Sequence, residues 1–111
     1  MLIQLAIEDP AYRAALKEQL AKQATWEICC VEQPDMALPG VVVIDRRQLD
    51  RLPSPLAGAE RVVLITRRTP EELSKAWDSG VASVVYEDEP LGTAVLAIHS
   101  ARLRCVKPPP T

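Results

Sequence analysis

The unbroken run Val41, Val42, Val43, Ile44 limits the folds open to this chain more than any other stretch. β-branched residues favour extended backbone, and a run without polar alternation suits a strand covered on both faces, as in a parallel sheet. The run stops at Asp45, which Arg46 and Arg47 follow at once. That acid therefore marks a strand's carboxyl end, where the loops of a parallel sheet begin. Further apolar runs occur at residues 2–7, 26–31, 61–66 and 81–86. Helix signals lie between them, and this alternation predicts an α/β domain with a parallel sheet.

The first helix is announced by Asp9 as a cap, Pro10 at the first helical position, and an apolar stripe of Tyr12, Leu16 and Leu20. Thr69 and Glu72 read as a capping box, in which each side chain serves the other's backbone N–H, and Gly80 closes that helix. Its apolar stripe of Leu73, Ala76 and Trp77 is expected in the core. A last helix over residues 91–104 carries Val95, Leu96, Ile98, Ala101 and Leu103. The middle crossovers are poorer. Residues 32–40 hold two prolines and offer one helical turn at best, and residues 48–52 make a short helix before Pro53. Residues 1–105 read as one domain, and the proline-rich stretch 106–111 as a tail or linker.

With 111 residues the chain can bury one core unaided, and a net charge of −2 gives no overall pull toward nucleic acid or anionic membrane. No run approaches the roughly 20 apolar residues of a spanning helix, and the start lacks a signal peptide's features, so a cytoplasmic protein is expected. Cys29, Cys30 and Cys105 have neither disulfide-framework nor zinc spacing and are expected as small core filler. His99, alone in a helical pattern, is expected to be a structural or surface residue. No nucleophile lies in a plausible relation to a base, so an enzyme is not expected.

Three features then combine: Glu8 and Asp9 at the end of the first strand, Asp45 at the end of the third, and the hydroxyl of Thr66 at the end of the fourth. With the turn "IEDPAYRAALKEQL" and the stretch "ELSKAWDSGVASVVY", they make the chain resemble the receiver domain of bacterial response regulators, the CheY-like fold, over nearly its whole length. The resemblance implies a doubly wound, flavodoxin-like five-stranded parallel sheet of order 2-1-3-4-5, here with short or missing helices between strands 2 and 3 and strands 3 and 4. It places Asp45 at the phosphoacceptor position, Thr66 at the switch hydroxyl, and Glu8 and Asp9 in the acidic pocket. Mg²⁺ would enter only if that pocket works, held by Glu8, Asp9 and Asp45.

The sequence also departs from the family. Aligning on Pro10 instead of the strand end puts the metal acids at Ile7 and Glu8, one of them lost. Glu87 stands where the resemblance calls for a lysine, and an acid there opposes a phosphoryl group. Two arginine pairs, Arg46 with Arg47 and Arg67 with Arg68, follow the third and fourth strands and form an anion or partner rim, unless they merely solvate loop ends. The expected function is an atypical receiver, or pseudo-receiver, acting as a protein interaction module in bacterial signalling. The partner, or a second copy, would bind the face of the family's fourth helix, fifth strand and fifth helix. The alternatives are a receiver that does accept phosphoryl on Asp45, and a small-molecule or nucleotide sensor using the arginine rim.

Overall fold

A computed structural model describes residues 2–22, 26–35, 37–38, 40–51, 59–67, 69–81 and 83–105, with backbone alone at 59, 104 and 105. The apolar runs become β1 (Leu2–Ala6), β2 (Glu27–Cys30), β3 (Val41–Asp45), β4 (Val62–Thr66) and β5 (Ser83–Tyr86). They form one sheet of order β2-β1-β3-β4-β5, every pairing parallel. The helices are α1 (Pro10–Ala21), α2 (Arg46–Arg51), α3 (Pro70–Ser79) and α4 (Leu91–Cys105), with a 3₁₀ turn at Ala59–Arg61. This is the doubly wound arrangement expected from the sequence.

The unbroken β-branched run has the double cover it demanded. Val41 and Val43 pack in the layer that Leu16 and Leu20 of α1 and Ile98 of α4 complete, while Val42 and Ile44 face Leu49 of α2 and Ala76 of α3. All of β3 and β4 is buried. Gly40 enters β3 at φ +108°, with Leu2 O only 2.1 Å from where a Cβ would sit, so only glycine fits this approach. Gly80 ends α3 in the left-handed region, at φ 84°.

Between β2 and β3 no helix forms among the described residues; a strap of chain crosses the sheet instead. Its backbone needs partners, and two glutamines supply them. Gln4, 2% exposed in β1, donates to Asp35 O at 2.9 Å and accepts from Asp35 N at 2.8 Å, and the Gln48 amide donates to Glu32 O. Side-chain amides thus satisfy the backbone polar groups that a helix would have satisfied internally.

Several expectations change. The helix after β3 begins at Arg46, directly on the strand, because Asp45 caps it; Leu52 and Pro53 lie outside the described residues. Cys29 and Cys30 are exposed, not core filler, because β2 is an edge strand whose burial is only partial even at Ile28. The side chain of Cys105 and the stretch 106–111 lie outside the described residues. Trp77 leaves the predicted stripe and is 65% exposed, and in α4 Leu96 and Leu103 point to water while Ala94, Ile98 and Ala101 face the core. His99 is half-buried, its ring 4.6 Å from that of Trp26. No helix among the described residues is long and apolar enough to cross a membrane.

Candidate functional site

The expected site residues gather at the carboxyl edge of the sheet, where doubly wound folds place their ligands. Asp45 ends β3 and is 9% exposed. Its Oδ2 accepts from Glu8 N at 2.9 Å and its Oδ1 from Gln48 N at 3.0 Å. The first bond ties β3 to the turn after β1; the second caps α2, since the acceptor lies three residues before the donor. Both oxygens of the carboxylate therefore have structural work.

Asp9 caps α1, its Oδ1 accepting from Ala11 N at 2.9 Å and Tyr12 N at 3.3 Å. Glu8 is drawn to Arg47, 2.5 Å away, in a pair exposed on both sides. With Asp45 they border a cavity of about 360 Å³ that Arg46, Arg47, Arg67 and Glu87 also line. Glu87 reaches Arg67 at 3.5 Å. Tyr12 of α1 keeps its hydroxyl buried without a partner among the described residues; burial, then the carboxylates of Glu87 and Glu89, push its pKa up.

A small hard cation needs several oxygen ligands in octahedral array. The acids here do not offer them. Among the described residues no three metal-ligating groups lie together, and Glu8, Asp9 and Asp45 are engaged respectively by an arginine, a helix start and two backbone N–H groups. Mg²⁺ does not fit this arrangement.

Thr66 lies elsewhere. Side chains alternate along a strand, and Asp45 pairs with Ile65, so the neighbouring Thr66 turns to the opposite face of the sheet. There it lines a second cavity, about 370 Å³, with Leu64, Glu72 and Lys75; Arg46 and Arg47 border both cavities. The acceptor-position acid and the switch hydroxyl do not share one pocket.

Thr66 is fully buried, and its hydroxyl donates to Glu72 Oε2 at 2.9 Å. The same oxygen accepts from Arg67 N at 2.9 Å, and Oε1 takes the Arg46 guanidinium at 2.5 Å. Thr69 does cap α3 by accepting from Glu72 N at 3.3 Å, but the reciprocal half of the capping box is absent: the Glu72 carboxylate turns into the site. Burial alone would raise the Glu72 carboxyl, yet the bonds from Arg46, Thr66 and Arg67 N–H overcome it and hold the group below its ordinary value. Arg46, Arg47 and Arg67 thus each meet an acid, and Arg68 lies outside the described residues.

In the sequence Glu72 reads only as half of a capping box. The signal available was that an acid one turn into α3 can reach the end of β4, six residues earlier, where a buried hydroxyl needs an acceptor.

No family model matches the chain, and no curated protein does. Among solved structures it is similar to the signal receiver domain of a modulated diguanylate cyclase from Desulfovibrio desulfuricans G20, reported as an example of alternate folding. The TM-score is 0.58 at 14% identity, covering 94% of each chain. At that identity the likeness is one of fold: the chain has a receiver-like, doubly wound architecture.

Proposed function

We propose that this chain is a receiver-like signal-transduction module, a pseudo-receiver, that takes no phosphoryl group in the usual way and acts by binding another protein or a second copy of itself. The observation that carries this reading is the carboxylate of Glu72 on the Thr66 hydroxyl, Arg67 N–H and Arg46. By the resemblance Thr66 is the hydroxyl that would meet a phosphoryl group; here it faces away from Asp45, and an internal anion already holds it together with Arg67 N–H and Arg46. The acid cavity adds to the argument. Four carboxylates line it against three guanidiniums. Two like charges 4 Å apart repel by about 4 kcal/mol at an effective dielectric of 20. Incubation with acetyl phosphate and Mg²⁺ is expected to leave the intact mass unchanged; an adduct that disappears in Asp45→Asn would refute the proposal.

The partner contact is assigned to the face of α3, β5 and α4, which the resemblance marks as an output surface. Trp77, Leu96 and Leu103 on its two helices are 65%, 68% and 69% exposed, and exposed aromatics and aliphatics serve as interface anchors. Trp77→Ala with Leu96→Ser should weaken self-association in sedimentation velocity, under reducing conditions, by about tenfold. The exposed α1 change Lys17→Glu should leave it unaltered. Association equal in all three proteins would remove the face from the account.

A further inference from the structure

We propose that the outer edge of β2, unpaired among the described residues, is a self-pairing edge, along which two copies join antiparallel about Cys29 and become linked by a disulfide between Cys29 and the partner's Cys29.

Which backbone groups point outward follows from one bond. Val31 N donates to Leu5 O at 3.0 Å, so residue 31, and by the two-residue period 29 and 27, turn their backbone toward β1. Ile28 and Cys30 therefore present N–H and C=O to the outside, and among the described residues nothing pairs with them. The opposite edge of the sheet is treated differently: Tyr86 N of β5 is taken by the Glu89 carboxylate at 2.9 Å. Edge strands are protected by shortness, charge, proline or a bulge; β2, with the sequence EICC, is short and carries one charge at its start, Glu27, but has no lysine, proline or bulge.

The register is selected by the direction of the backbone groups and by the thiols. Pairing centred on Cys29 sets Ile28 opposite the partner's Cys30 and Glu27 opposite the partner's Val31. A shift of one residue either way would set the outward-turned Ile28 and Cys30 opposite residues whose backbone is turned toward β1, and one of the two shifts would also set Glu27 opposite the partner's Glu32. In the centred register Cys29 occupies a non-hydrogen-bonded position, because its own backbone is turned toward β1. Cα atoms there approach to about 4.5 Å, inside the roughly 4.4–6.8 Å that a disulfide spans. Cys29 is exposed, beside Gln4 in the register with β1, on the face crossed by the strap instead of a helix.

The covalent step balances with a peroxide as oxidant. One Cys29 thiolate attacks a peroxide oxygen, breaking the O–O bond to give a sulfenic acid and hydroxide; the partner's Cys29 thiolate then displaces hydroxide from that sulfur as the S–S bond forms, and the two protons released when the thiols ionised convert both hydroxides to water. A reducing thiol reverses the link.

The test uses the full chain and its Cys29→Ser, Cys30→Ser and Cys105→Ser variants, treated with hydrogen peroxide and read by non-reducing mass spectrometry and amide hydrogen exchange. A dithiothreitol-reversible dimer is expected in the wild type, Cys30→Ser and Cys105→Ser, and not in Cys29→Ser. In the dimer the Ile28 and Cys30 amides should exchange at least tenfold more slowly. A dimer that survives Cys29→Ser, one that needs Cys30 or Cys105, the absence of any dimer, or unprotected Ile28 and Cys30 amides in a cross-linked product would each overturn the proposal.

Discussion

Asp45→Ala is expected to destabilise the protein by about 3 kcal/mol, with or without any phosphate donor present. Asp45 is 9% exposed, and its carboxylate accepts from two backbone N–H groups, of Glu8 and Gln48, that belong to different parts of the fold. A hydrogen bond to a charged group contributes roughly 1.5–3 kcal/mol, and a buried donor left unpaired forfeits the desolvation cost as well. The loss also removes the cap of α2, an effect near 1 kcal/mol that overlaps the Gln48 bond and is not additional to it. Asp45→Asn keeps one carbonyl oxygen and should cost about half as much, by the same per-bond value. Urea unfolding gives the order directly. If alanine and asparagine were both neutral, Asp45 would be a solvated strand end.

Glu72→Ala should cost about 2 kcal/mol, because it strands the buried Thr66 hydroxyl and leaves Arg67 N–H and Arg46 without their acceptor. The cost has a signature that helix capping would not produce. Thr66→Val removes the hydroxyl, so the double variant Glu72→Ala with Thr66→Val should be less unstable than the two single effects added together. The pH dependence is also fixed in sign. The folded-state carboxyl of Glu72 lies below its ordinary value, so its contribution is complete above the ordinary carboxylate range. It is lost as pH falls through the depressed value. The stability gap between wild type and Glu72→Gln should therefore hold steady at neutral pH and close on acidification; a gap that widens toward acid would contradict the assignment.

The sheet was readable because burial writes itself as an apolar run: β3 and β4 lie between two helical layers and carry no polar interruption. β2 misled for the same reason. Its run looks as apolar as the others, yet an edge strand crossed by a strap buries little, and Cys29 and Cys30 stay in water. The strap itself depends on Gln4 and Gln48, whose amides read as ordinary polar residues until the sheet places them against Asp35 and Glu32. In the site, position along the chain was legible and direction was not. Asp45 and Thr66 do end adjacent strands, but a one-residue offset in register sends them to opposite faces. Glu72 matched a local capping pattern, and a longer-range demand, the buried Thr66 hydroxyl beside Arg46, took its carboxylate.

The most direct test of the claim that the receiver-like pocket is closed to phosphoryl is an amide NMR titration with Mg²⁺ and beryllofluoride, a phosphoryl mimic. The account predicts unmoved resonances for Glu8 and Gln48, whose N–H groups hold Asp45, and for Arg67, whose N–H holds Glu72. Saturable shifts at these three amides, lost in Asp45→Asn, would contradict it.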